Sequence, residues 1–192
     1  MIRSNHYEAA FEAYLRGRGV GFIAIDEAKR SQLGDTPVKS ADFIIVGPDT
    51  SKLVVDVKGR KFPSGSGDRP NTTWQNWAEE EDIDALGRWA VGFGADFRGV
   101  LAFAYQIQPP FALPDNTPDL FAFRADLYLM RGVDVAAYRE HMRPRSKSWK
   151  TVHLPVDAFR RLVRPFSEFL IPAGFTAEGA EGAEKDRART GN

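Results

Sequence analysis

The sequence has no cysteine, which removes disulfides, thiolate zinc sites, iron–sulfur clusters and cysteine nucleophiles together. It has no excess charge of either sign, because 26 Lys and Arg stand against 26 Asp and Glu. A histone-like polycation is therefore excluded, and any contact with nucleic acid must come from local basic patches. No apolar run approaches the roughly 18 residues of a spanning helix, and the opening stretch MIRSNHYEAAFEAYLR contains no signal-peptide apolar region. The phosphate loop, the dinucleotide fingerprint, the nucleophile elbow and the paired-histidine zinc motif are missing as well. These absences lead to the expectation of a cytoplasmic protein with no membrane partner.

What remains is ordinary globular material. The 192 residues are 43% hydrophobic and 12% aromatic, enough for one domain with a core that needs no covalent staples. Residues 176–192 hold no aromatic and no aliphatic larger than Ala. They are expected to form a disordered tail behind a domain of residues 1–175, since they bury too little to offset the entropy of ordering.

Periodicity divides that domain into elements. A first helix is predicted over 4–18, capped by Ser4 or Asn5, with Tyr7, Ala10, Phe11, Tyr14 and Leu15 at helical spacing. A strand follows at 21–26, then a polar loop, then two strongly strand-like runs at 41–46 and 52–58 joined through residues 47–51. A Gly, Ser and Pro-rich loop (59–72) leads to a second helix at 80–93, with Ile83, Leu86, Ala90 and Phe93 on one stripe. Further strands are predicted at 99–107 and 120–129, helices at 133–142 and 156–169, and a basic segment between those helices. The order helix, three strands, helix, strand makes the fold class mixed α/β.

Acidic residues inside apolar strands carry the chemistry. Asp42 opens Asp-Phe-Ile-Ile-Val, and Asp56 sits within Leu-Val-Val-Asp-Val-Lys. Burying a carboxylate costs several kcal/mol (roughly) unless it is paired or bound to a cation. Asp56 and Lys58 are two apart and share a strand face. Asp42 joins them only if the hairpin pairs residues summing to 98 or 100, which requires an odd-numbered loop or a bulge. Two aspartates converging with a lysine suit a hard divalent cation and a phosphate. The first helix offers Glu8 and Glu12, one turn apart on one face, as a third carboxylate.

This arrangement resembles the PD-(D/E)xK nuclease superfamily, which includes restriction-endonuclease-like and Holliday-junction-resolvase-like proteins. His6-Tyr7-Glu8-Ala9-Ala10-Phe11-Glu12 also resembles the signature of a bacterial family named for HYExAFE. The resemblance implies a restriction-endonuclease-like core with C-terminal helical additions. It implies that Glu8, Asp42 and Asp56 hold Mg²⁺, or Mn²⁺ in its place, while Lys58 positions or activates the attacking water. It also implies a homodimer and products with 5′-phosphate and 3′-hydroxyl ends. Ala41 stands where the family name has proline, and the Gln-x-x-x-Tyr element of exonuclease relatives is absent after Gln75, where Trp stands at 77.

Two basic patches are candidates for the phosphate backbone: Arg60, Lys61 and Arg69 beside Lys58, and Arg143, Arg145, Lys147 and Lys150 further on. Solvated surface charge is an equal account of the second. Trp74 and Trp77 read as core or shelf residues that would stack bases if exposed. His6 reads as a cap or packing residue. The run Glu79-Glu80-Glu81-Asp82 reads as carboxylates complementing a helix dipole. The expected function is a Mg²⁺-dependent DNA endonuclease, with RNA left open as a substrate. The rival reading is a catalytically weak or inactive nucleic-acid-binding module of the same fold, and a third is an interaction protein in which Asp56 and Lys58 form only a core ion pair.

Overall fold

The computed structural model describes residues 5–25, 31–33, 36–47, 50–65 and 70–171. Arg69 and the expected tail at 176–192 lie outside them. The first helix, α1 (His6–Gly17), starts where the sequence places it, with the Asn5 side chain accepting from the Tyr7 N–H at 3.0 Å. The strands β1 (Phe22–Ala24), β2 (Ser31–Leu33), β3 (Thr36–Val38), β4 (Phe43–Ile45) and β5 (Lys52–Phe62) follow. A short strand, β6 (Ala78–Glu79), leads into α2 (Glu80–Phe93) and then β7 (Phe97–Ile107). The rest of the chain supplies β8 (Leu120–Phe123), β9 (Asp126–Asp134), α3 (Val135–His141), β10 (Arg143–Ser146), β11 (Thr151–His153), α4 (Val156–Leu162), β12 (Arg164–Pro165) and α5 (Ser167–Leu170). The fold is α/β, with the core order of helix, strands, helix and strand that the sequence predicts and C-terminal helices added to it.

The central sheet runs β1-β4-β5-β7-β9-β12, with β8 paired to β9. Its middle strands, β5 and β7, are parallel along eleven residue pairs, and α2 lies in the crossover between them. Both are buried on two faces, which explains their nearly continuous apolar runs. Val55, Val57, Val100, Ala102 and Ala104 pack against Phe11, Tyr14 and Leu15 of α1 and against Phe166. Val54, Leu101, Phe103 and Tyr105 pack on the opposite side against Ile83 and Leu86 of α2 and Tyr138 of α3. Complete burial of one such aromatic contributes about 1.5–3 kcal/mol.

Several elements differ from the sequence reading, each for a local reason. The expected 59–72 loop begins only after Phe62, because pairing with β7 carries β5 four residues further. The polar loop before residue 41 contains the β2–β3 hairpin. The single strand expected at 120–129 is a hairpin, β8 and β9, which reverses at Arg124 with a left-handed φ of 55°. The basic 143–150 segment is β10 and the turn into β11, which pairs with β6 in a second sheet. The helix expected at 156–169 is interrupted by β12, where Pro165 stands opposite Arg131 of β9.

Candidate active site

The centre of β5 holds the constellation. Its odd positions point into the α1 core, which leaves Asp56 and Lys58 on the α2 side beside Val54. Phe43 pairs with Val55, Ile44 with Val54 and Ile45 with Leu53, so every pair sums to the 98 that the hairpin argument requires. At Asp42 the regular ladder stops. The Asp42 N–H donates to the Val55 carbonyl at 3.0 Å, and its Oδ2 accepts the Val57 N–H at 2.6 Å. A carboxylate thus replaces a backbone carbonyl and lies against the residue between Asp56 and Lys58. Asp42 and Asp56 are both buried.

Lys58 does not pair with Asp56 alone. Its Nζ is 2.6 Å from Asp56 Oδ2 and 2.7 Å from Asp82 Oδ2. Asp82, on the first turn of α2, also holds Lys39 Nζ at 2.6 Å through Oδ1 and accepts the Glu79 N–H at 2.9 Å. Lys39 reaches Glu79 as well, at 2.9 Å. The sequence reading attributed Asp82 to the helix dipole and did not select Lys39. The available signal was position: Asp82 lies one turn before Leu86, on the edge of the apolar stripe, where a solvated carboxylate is out of place.

The electrostatics follow from this geometry. Burial raises the Asp56 pKa, the Lys58 charge only partly offsets that, and Asp82 adds to the rise. Burial acts the same way on Asp82, but Lys58 and Lys39 outweigh it and hold its pKa below the usual range. Burial pulls Lys58 down, yet Asp56 and Asp82 outweigh it and leave its pKa raised, so it remains an ammonium at neutral pH. Lys58 is thus shared by the buried carboxylates of Asp56 and Asp82, and Lys39 by the carboxylates of Asp82 and Glu79.

Asp42 and Asp56 fit a hard divalent cation in donor type. Mg²⁺ is commonly held by one or two carboxylates, with water and substrate phosphate completing the shell. Among the described residues, no three His, Cys, Asp or Glu side chains are grouped to hold a metal. Glu8 lies on α1, the helix packed on the other face of the sheet, and its Oε1 accepts from Asn5 Nδ2 at 2.6 Å. Its alternative, Glu12, pairs one turn along with Arg16 at 2.8 Å. His6 packs on the Tyr7 ring and meets the Tyr128 hydroxyl through Nδ1 at 2.8 Å.

The basic residues divide. Lys61, Arg143, Lys147 and Lys150 are exposed. Arg60 and Arg145, from the two separate patches, both lie over the Trp77 ring. Trp74 instead stacks on Phe62 with ring centroids 3.5 Å apart and belongs to the core. Trp89 donates its indole N–H to the Lys39 carbonyl at 2.9 Å.

No family model and no curated protein matches this chain. Among solved structures it is similar to Hjc, a Holliday junction resolvase from the archaeal hyperthermophile Archaeoglobus fulgidus. That similarity has a TM-score of 0.48 at 15% identity and covers 85% of this chain and 96% of the other. Among the described residues no helix is long and apolar enough to cross a membrane.

Proposed function

We propose that this protein is a Mg²⁺-dependent nucleic-acid phosphodiesterase, a DNA endonuclease of the PD-(D/E)xK kind. The observation that carries the reading is the Asp42 carboxylate seated on the Val57 N–H, directly beside buried Asp56 and Lys58. Asp42 and Asp56 would hold the ion, with water and substrate phosphate completing its shell, since Glu8 lies across the sheet from them. The bound ion would lower the pKa of a water and neutralise charge on the phosphate. Lys58, held at Asp56 and Asp82, would position or activate the attacking water beside the phosphate. Arg60 and the exposed residues Lys61, Arg143, Arg145, Lys147 and Lys150 would contact the phosphate backbone, which sets register without reading sequence.

The test uses purified protein with Mg²⁺ or Mn²⁺ on duplex, branched and single-stranded DNA and on RNA. Asp56→Asn should fold, bind DNA at similar or higher affinity, and cut at most a small fraction as fast. One observation favours the binding-module reading: Lys58 is held by both Asp56 and Asp82, as a structural ion pair in the core would be. Wild-type protein that binds neither metal by calorimetry and cuts none of these substrates would decide for that reading.

A further inference from the structure

Two arginines share one tryptophan beside the candidate site. Arg60 Cζ lies 3.9 Å from the Trp77 ring centroid and Arg145 Cζ lies 4.9 Å from it. Arg60 is two residues past Lys58 on β5, about 7 Å along the strand, whereas Arg145 arrives from β10. Arg60 is fixed, with Nη1 donating to the Gly59 carbonyl at 2.7 Å and Nη2 to the Trp77 carbonyl. Arg145 is exposed. Among the described residues neither guanidinium has a carboxylate partner. Burial, with repulsion from Arg145 among the smaller causes, lowers the Arg60 pKa. Two like charges on one ring lack an anion.

A cavity of about 360 Å³ opens on Trp77 and Arg145, lined also by Asn71, Thr73, Gln75 and His153 among others, with Arg60 on the indole and outside the lining. That is within the size range of small-molecule sites. An indole floor, a wall of amide and hydroxyl groups and a cationic rim match a nucleobase together with its phosphate. His153 adds an Nδ1 that is buried without a hydrogen-bond partner among the described residues. A base inside a duplex already has both faces covered, so only a splayed nucleotide can lie on the indole.

We infer that this cavity is a subsite for one unpaired nucleotide of a nucleic-acid strand, its base stacked on Trp77 in place of the Arg145 guanidinium and its phosphate between the two arginines. This rests on the nucleic-acid reading above and narrows its substrate to strands with an unpaired nucleotide next to the cut.

The test reads binding without cleavage, in metal-free buffer, using the full chain carrying Asp56→Asn. Labelled oligothymidine and a blunt duplex of equal length are titrated by fluorescence anisotropy. Adding Trp77→Ala should weaken the single strand about tenfold, within the range found for base–aromatic stacking, and leave the duplex within about twofold. Trp77→Phe should keep most of the single-strand affinity. Because Trp77→Ala also loosens the seat of Arg60, a second measurement stands beside it. Oligothymidine should quench tryptophan emission, and Trp77→Phe should remove most of that quenching. Equal loss on single strand and duplex, or quenching unchanged by Trp77→Phe, overturns the inference. Wild type that cuts DNA while Trp77 variants bind single strands normally would remove the subsite and leave the nuclease reading intact. Trp77-dependent binding in a protein that cuts nothing would do the reverse.

Discussion

The Asp82 carboxylate, on the first turn of α2, holds the Lys58 ammonium from the centre of β5 at 2.7 Å. This contact joins the helix to the strand at the place where the chemistry is proposed. It also gives Lys58 a second carboxylate, so the lysine stays charged and positioned even when Asp56 engages a cation.

Removing that anchor should cost stability. Asp82→Ala leaves the largely buried Lys58 with Asp56 alone and Lys39 with Glu79 alone, and takes away the acceptor of the Glu79 N–H. The expected loss is about 3 kcal/mol, the scale for breaking a buried ion pair from one side, read by urea denaturation. The pH dependence has a definite sign. A carboxyl whose folded pKa lies below its unfolded value stabilises above that unfolded value, about 3.9, and the contribution is lost as pH falls through the folded value. Wild type should therefore lose stability on acidification below about pH 4 more steeply than Asp82→Asn. Identical acid limbs for the two proteins would remove Asp82 from the network.

Asp56→Asn should behave differently from Asp82→Ala. Burial disfavours the Asp56 charge, and Lys58 retains Asp82 after the substitution. Its unfolding free energy should therefore lie within about 1 kcal/mol of wild type, or above it. Divalent metal separates the two proteins. At a hundred times its Kd, Mg²⁺ should stabilise wild type by about 2.7 kcal/mol, which raises Tm by roughly 5–10 °C for a chain of this size. Asp56→Asn should lose most of that increment. Wild type with no thermal shift in either Mg²⁺ or Mn²⁺ would count against the proposed ion site.

Gly59, between Lys58 and Arg60, lies beneath the Tyr7 ring. A Cβ there would meet that ring at 2.1 Å. Gly59→Ala should cost about 1–3 kcal/mol, the usual range for overpacking, by pushing the start of α1 off the sheet. Combined with Tyr7→Ala, the two losses should fall well short of their sum, because the second change removes what the first collides with. Simple additivity would show that the ring does not cover this glycine.

The sequence alone determined much of the frame. The α1 stripe, the alternation in β5 and the start of α2 are local matters of period, so they can be read from one segment at a time, whereas the hairpin parity that Asp42 needs was left open and is decided by the β4–β5 register. The ends of elements were less legible. β5 reaches Phe62 because β7 pairs with it there, and the expected last helix gives way to β12 because β9 offers its edge at Arg131 and Gly132. Tertiary packing alone decided that Asp82 and Lys39 belong with Asp56 and Lys58. It alone placed Glu8 on a helix across the sheet, and it alone brought Arg60 and Arg145, 85 positions apart in the chain, onto one indole. Those relations come from the parallel pairing of β5 with β7 and from the second sheet seated against α2. Both join segments distant in sequence, and periodicity within a segment carries no information about which distant segment it meets.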